Sequence, residues 1–195
     1  MKLVIIDYGS GNLRSVENAF RKSIIDNKFR INIEVTNELV SVRKGDFIVL
    51  PGVGSFPDCK RGLKDINGLI ETLSNEVLFK QKPFLGICVG MQLMVDYSLE
   101  KTKTPGFGWL KGYLKKINIL GKDYLGRKYK IPHMGWNSLK VLDKKNPILK
   151  NIKDDEQFYF VHSYYLTNYL EKEVLAKTFY NHDIPAIIGE KNYYG

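Results

Sequence analysis

Cysteine is scarce in this sequence. The 195 residues contain only Cys59 and Cys88, far apart and with no Cys-x-x-Cys pair. That spacing excludes a disulfide framework or a thiolate zinc site and points to a reducing compartment, the cytoplasm. Long apolar runs are absent as well: none approaches the ~18 residues of a membrane span, and the mean hydropathy is −0.25. The opening stretch, Met1 to Asp7, has too short an apolar core for a signal peptide and reads as a strand. Acidic residues are the third shortage, 21 against 30 lysines and arginines, a net charge of +9. The imbalance is local. Residues 1–100 are nearly neutral at +1, residues 101–153 carry +12, and residues 154–195 carry −4. No helix-turn-helix, RNP-type or zinc-finger pattern accompanies the basic segment, so nucleic acid is not the expected partner. A solvated lysine-rich face is the plain account, and a dock for an acidic partner the next.

The apolar share is 44%, enough for a sizeable core, and with no repeat or low-complexity linker one domain over residues 1–195 is expected. Buried strands are predicted at Lys2–Ile6, Ile31–Val35, Phe47–Leu50 and Pro83–Ile87, the third ending sharply at Pro51-Gly52-Val53-Gly54. Helical spacing marks Leu13–Lys22, Leu69–Phe79 and a stretch from Gly90 carrying Met91, Leu93, Met94 and Val95. Strands alternating with helices imply a mainly parallel sheet with helices on both faces. The second half has a different texture, rich in glycine and aromatics. Short β-like pieces recur at Tyr113–Ile119, Ser138–Leu142, Phe158–Tyr165, Val174–Phe179 and Ala186–Ile188, so a β-rich C-terminal half is expected.

Among the motifs, Gly9-Ser10-Gly11 lies between a strand and a helix, but position 14 is Arg14 and no Gly-Lys-Ser/Thr is present. It reads as a tight turn rather than a phosphate cradle. Gly86-Ile87-Cys88-Val89-Gly90 has the logic of a nucleophile elbow: a buried strand, a nucleophile on a sharp turn, and glycines where side chains would collide. At a helix N-terminus the dipole would favour thiolate, and the Val89 N–H would face an oxyanion. A buried structural cysteine is the competing reading. Cys59 has no such setting. Pro51-Gly52-Val53-Gly54 falls at the end of the neighbouring strand, where open α/β sheets place ligands, and could offer a second oxyanion donor. Ile131–Asn137 sets Met134, Trp136 and Asn137 in a loop, and exposed Trp and Met are interface anchors. For the single histidines of this segment and of Phe158–Tyr165, a structural role is favoured over catalysis.

Taken together, these stretches resemble the class I, triad-type glutamine amidotransferases, and within them the glutaminase subunits of imidazole glycerol phosphate synthase. The likeness is carried by Asp7–Leu13, Leu50–Gly54, Pro83–Leu93, Pro132–Asn137 and Tyr159–Tyr164, in order along essentially the whole chain. It implies a flavodoxin-like α/β domain that docks on a (β/α)8-barrel cyclase as a heterodimer and passes it ammonia for histidine biosynthesis. Cys88 would be the nucleophile; Gly52, Val53 and Val89 the oxyanion loop and donor; Gln92, Ser163 and Tyr164 the glutamine site; Met134, Trp136 and Asn137 the partner surface. No metal or organic cofactor is implied. Two other readings remain: a paralogue feeding ammonia to a surface-sugar amidotransferase, and a glutaminase-dead docking subunit.

One departure bears on activity. The family draws its general base and orienting carboxylate from a C-terminal Gln-Phe-His-Pro-Glu-Lys-Ser stretch, which the residues Ile187 to Gly195 lead up to but do not contain. The three histidines, His133, His162 and His182, belong to other segments. The domain is therefore expected to lack its C-terminal end, and the 195 residues by themselves to show little glutaminase activity.

Overall fold

The computed structural model describes residues 1–118, 121, 126, 128–153 and 155–195. The first half alternates strand and helix: β1 (Lys2–Ile6), α1 (Leu13–Asp26), β2 (Asn32–Thr36), α2 (Leu39–Lys44), β3 (Phe47–Gly52), α3 (Phe56–Asp65), α4 (Leu69–Ser74) and β4 (Phe84–Cys88). A four-residue α5 (Val89–Gln92) follows, then β5 (Val95–Ser98), β6 (Thr104–Pro105), β7 (Leu110–Lys116), β8 (His133–Ser138), β9 (Lys140–Val141), β10 (Gln157–His162), β11 (Tyr164–Thr167), β12 (Val174–Phe179), β13 (Asp183–Glu190) and β14 (Tyr193–Tyr194).

The main sheet runs β2-β1-β3-β4-β14-β13-β12-β9. Its first five strands are parallel and the remainder antiparallel. β1 shows why the parallel part holds. Val4 and Ile6 face a core built with Val42, Phe56, Leu63, Leu69 and Leu73 from α2, α3 and α4. Leu3 and Ile5 face the opposite layer, covered by Leu13, Val16 and Phe20 of α1. Burial on both faces explains the unbroken apolar runs. Two smaller sheets, β11-β7-β5-β6 and β10-β8, complete the β-rich half. The expected fold class, parallel α/β followed by strand-rich structure, is the one observed.

Local chemistry sets the boundaries. Asn12 caps α1 by accepting from the Ser15 N–H at 3.3 Å, and Gly9 and Gly11 take φ of +79° and +114° in the preceding turn. The helix predicted over Leu69–Phe79 is α4 continued by a π-helical turn, Asn75–Phe79. There the fully buried Glu76 carboxylate lies 2.8 Å from Lys80 and 2.7 Å from Lys82. Burial pushes its pKa up, but the hydrogen bonds from the two ammonium groups outweigh that and leave it below the usual carboxylate value.

Several expectations are corrected. β3 does not stop at Leu50; it pairs with β4 through Pro51 and Gly52, while its pairing with β1 ends at Val49. Proline is tolerated where one side of the strand has no partner to receive its missing N–H. The stretch from Gly90 is helical only to Gln92, and Val95 already belongs to β5. Residues 133–138 form a strand, not a loop, because β10 pairs with them along its length. Phe158–Tyr165 is broken at Ser163 into β10 and β11, which join different sheets. The end of the predicted strand Tyr113–Ile119, Ile119, lies outside the described residues. α3 went unpredicted, although Ser55 with Asp58 three residues on is a helix-start signal: the Ser55 side chain accepts from the Asp58 N–H.

Candidate active site

Cys88 closes β4 with φ +56° and ψ −113°. A side chain in that region costs about 1–3 kcal/mol and persists only where surroundings over-determine it. The packing here does so. A Cβ on Gly90 would lie 1.8 Å from the Leu50 carbonyl oxygen, and one on Gly52 2.8 Å from the Gly90 nitrogen. Only glycines let the turn close against β3. Gly52 sits directly opposite Cys88 in the β3–β4 ladder.

The thiol's electrostatics run against the sequence-based expectation of a dipole-favoured thiolate. Burial pushes the Cys88 pKa above its ordinary value, the Val89 N–H pulls it back in part, and Cys59 adds to the rise. A four-residue α5 brings too little aligned dipole to reverse desolvation.

Cys88 opens on a cleft of about 240 Å³ whose lining includes Gly54, Val89, Gln92, Glu100, His162, Ser163 and Tyr164. Four of the sequence-predicted site residues, Val89, Gln92, Ser163 and Tyr164, therefore meet Cys88 in one place. Glu100 was not foreseen. It lies beyond any motif and is brought in because its carboxylate accepts from the Phe56 N–H at 2.7 Å, at the start of α3. A larger cavity of about 440 Å³ also reaches Cys88, but its wall is largely apolar, with Leu114, Phe158, Phe160, Leu166, Ile184 and Pro185. The smaller cleft has the polar groups an amino-acid ligand needs.

The loop after β3, whose Gly54 lines the cleft, is tied through Val53 to the turn before α1. Val53 donates its N–H to Ser10 Oγ at 3.2 Å, and Ser10 Oγ donates to the Val53 carbonyl at 2.6 Å. Beneath it, buried Cys59 has its sulfur 3.6 Å from the same carbonyl. Tyr8 donates its hydroxyl to the Pro51 carbonyl at 2.8 Å, and burial, with the Cys59 thiol beside it, raises the phenol above its ordinary range.

Neither cleft histidine nitrogen is idle. His162 Nδ1 lies 3.0 Å from the Tyr164 carbonyl, and its Nε2 lies 2.8 Å from His133 Nδ1. Burial, then the neighbouring His162, lowers the His133 pKa to about 4. Burial lowers that of His162 too, against the pull of the Tyr164 carbonyl. His182 packs edge-on to Tyr165, and its buried Nε2 has no hydrogen-bond partner among the described residues.

On the outer face of the β8–β10 pair, Met134 stands opposite Val161 and Trp136 opposite Tyr159. All four are exposed, Trp136 by 70%, and the Trp136 and Tyr159 rings meet edge-on at 5.7 Å. Exposed Val53 is a further apolar residue of the loop. Tyr159 and Val161 were legible in the alternation of residues 157–162 and were missed. Asn137 is on the inner face, its amide donating to the Phe179 carbonyl at 2.9 Å. The basic segment spreads over several elements and is partly neutralised: Lys101 lies 3.1 Å from Asp58, and Lys111 3.6 Å from Asp96. No helix among the described residues is long and apolar enough to cross a membrane.

A strained cysteine at the end of a parallel strand, beside a glycine-built loop, defines a class. The chain belongs to the class I glutamine amidotransferase family, whose model matches residues 4–195. A crystal structure titled glutamine amidotransferase superposes with a TM-score of 0.69 at 14% identity, covering 98% of this chain and 86% of that one, a likeness of fold. More particularly, the chain is 40% identical over 195 residues to the imidazole glycerol phosphate synthase subunit HisH of Pelagibacter ubique. It is 43% identical over 198 residues to the protein of that name from Brucella suis. In both comparisons all of this chain and 89% of the relative are covered.

Proposed function

We propose that residues 1–195 form a single glutaminase domain of an imidazole glycerol phosphate synthase, hydrolysing glutamine and passing ammonia to a (β/α)8-barrel cyclase in the cytoplasm. The observation that carries this reading is the Cys88 elbow facing Gln92, Glu100, Ser163 and Tyr164 across one small cleft, in a chain with full-length likeness to HisH proteins. Glutamine brings an amide, an ammonium and a carboxylate. Glu100 supplies the opposite charge for the ammonium, and Gln92 with the Ser163–Tyr164 segment supplies polar partners for the rest.

In this mechanism the Cys88 sulfur bonds to the side-chain amide carbon of glutamine. The thiol proton passes through a base to the departing nitrogen, the carbon–nitrogen bond breaks, and ammonia leaves a γ-glutamyl thioester. Water then cleaves the thioester to glutamate and restores the thiol. The oxyanion is met by the Val89 N–H and by the loop at Gly52 and Val53. Since the Val53 N–H is engaged with Ser10 Oγ, it must be released before it can serve.

A cysteine nucleophile is activated by a base, burial works against the Cys88 thiolate, and both nitrogens of His162 already have partners. We therefore assign the base and its carboxylate to a His-Pro-Glu stretch after Gly195. β14 runs parallel to β4 with Tyr194 opposite Leu85, so its direction leads toward the Cys88 end of the sheet. The partner surface is the Met134, Trp136, Tyr159 and Val161 face, with Asn137 bracing it from within.

The test compares the 195-residue chain with one extended by Gln-Phe-His-Pro-Glu-Lys-Ser, each mixed with a barrel cyclase and its ribonucleotide substrate. The extended chain is expected to release ammonia from glutamine and form imidazole glycerol phosphate and the aminoimidazole carboxamide ribonucleotide (AICAR). Cys88→Ala removes at least about a thousandfold of the rate. Efficient release by the unextended chain, or activity that survives Cys88→Ala, would sink the mechanism. Turnover only with a sugar-amidating synthase would reassign the pathway.

A further inference from the structure

His133 and His162 are direct partners across the β8–β10 ladder, and the hydrogens between them can be assigned from both ends. At one end, Asn137 has its amide orientation fixed twice over. Its Oδ1 accepts from the Ser138 N–H at 2.9 Å, and its Nδ2 donates to the Phe179 carbonyl at 2.9 Å. Turning the amide over would set oxygen against oxygen and N–H against NH₂. The second Nδ2 hydrogen therefore faces His133 Nε2, 3.2 Å away, which must accept. A neutral ring then carries its hydrogen on Nδ1 and donates it to His162 Nε2 at 2.8 Å. At the other end, the Tyr164 carbonyl can only accept, which requires a hydrogen on His162 Nδ1 and leaves Nε2 as acceptor. The two assignments meet without conflict.

The surroundings hold the rings still. His133 is buried and stacked between Phe160, at 5.0 Å, and Tyr180, at 4.0 Å. An added proton on either ring would set two donors face to face. The other titratable groups around this unit are Tyr180 against His133, and Cys88, Glu100 and Tyr164 in the cleft beside His162.

We propose that His133 and His162 form a one-way hydrogen-bond relay from the Asn137 amide to the Tyr164 carbonyl, which positions the Ser163–Tyr164 segment for glutamine. This rests on the glutaminase reading for its ligand but not for its geometry. Ser163 lies in the break between β10 and β11, strands of different sheets; its carbonyl accepts from the Ile117 N–H just past β7 at 2.8 Å, and the relay holds the segment from the β8–β10 side. The relay starts on the inner face of the strand whose outer face carries Met134 and Trp136. His133 and His162 are thus positioning residues: they touch the segment that grips the substrate and leave the reacting atoms to others.

Two measurements test the proposal. The first reads ring-nitrogen NMR of the ¹⁵N-labelled chain at neutral pH and needs no substrate. His133 and His162 are both expected as single neutral Nδ1–H tautomers. A hydrogen on Nε2 of either ring, or tautomeric averaging, overturns the relay. The second titrates glutamine into chains carrying Cys88→Ala. Adding His133→Phe, which keeps a stacking ring but no donor, is expected to weaken binding roughly tenfold. His133→Asn, which returns a donor near the Nδ1 position, recovers part of the loss. In the extended, cyclase-bound enzyme His133→Phe raises KM and leaves kcat within about threefold. Equal glutamine affinity in Cys88→Ala and Cys88→Ala/His133→Phe overturns the positioning role. If Cys88→Ala binds no glutamine, the glutaminase reading fails and, with it, the substrate role of the relay, while the tautomers still decide whether the relay exists. If His133→Phe does not fold, His133→Asn alone decides: a loss clearly smaller than tenfold relative to Cys88→Ala supports a donor-based relay, and a loss as great as tenfold contradicts it.

Discussion

The parallel half, β1 to β4, and the antiparallel pair β8–β10 bury themselves in opposite ways. In β1 every residue from Leu3 to Ile6 is covered on whichever face it points to, whereas Met134, Trp136, Tyr159 and Val161 stand in solvent on one face of β8–β10. Helices cover both sides of the first, so its strands can be apolar throughout. The second has a single inner layer, and its inner positions carry two histidines and an asparagine beside Phe158 and Phe160 rather than aliphatics. The strained Cys88 elbow, the nucleophile in the proposed mechanism, is built where the structure is most constrained. The proposed grip on glutamine and the proposed partner surface are built where two strands leave one face open. The division suits the chemistry: an elbow has to hold a strained φ, while a dock has to keep apolar surface available until another molecule covers it.

Substitutions can break this contrast. Gly90→Ala strikes the constrained half, since its Cβ would meet the Leu50 carbonyl at 1.8 Å. It is expected to lower the unfolding free energy by about 3 kcal/mol, read from denaturant midpoints. Trp136→Ala strikes the open face. It should weaken association with the barrel partner by about 2 kcal/mol, measured by calorimetry, and leave the melting temperature of the free chain nearly unchanged. If both substitutions destabilise the isolated chain alike, the contrast fails.

Glu76→Gln sharpens it through pH. The carboxylate is held below its ordinary pKa by Lys80 and Lys82 against the upward push of burial. Its stabilisation is present above the ordinary carboxylate pKa and is lost as pH falls through the lower folded value. The substitution should cost about 1.5 kcal/mol at pH 7 and progressively less in acid, as stability curves at several pH values will show. The smallest effect concerns the basic residues 101–153. Because Lys101 and Lys111 are already paired with acids of the first half, raising salt from 50 to 500 mM should slow partner association only a fewfold. A stopped-flow rate indifferent to salt removes any steering role.

How much of this was readable in the chain follows the same divide. β1, β3, β4 and α1 are written in runs and spacings that have one physical reading, and the Cys88 elbow announces itself through glycines that nothing else would require. The β-rich half is harder because pairing, not propensity, decides it. Trp136 reads as a loop residue until β10 is laid beside it, and Ser163 sits inside what looks like one strand. Glu100 carries no local signal at all; the Phe56 N–H brings it into the cleft. The His133–His162 pair is equally silent, being created by a register of 29 residues' separation.

β14, only Tyr193 and Tyr194, lies between β4 and β13. Gly195 beside it exchanges two 2.9 Å hydrogen bonds with Ile188. That small strand is the seam where parallel and antiparallel sheet become one. On the ribosome it emerges after everything it joins. Until then β4 presents an open edge of unpaired backbone in its most apolar region, a surface that invites pairing with another nascent chain. Tyr193 and Tyr194 thus govern when the sheet is closed to strangers, and during synthesis the chain's solubility depends on how long that edge waits.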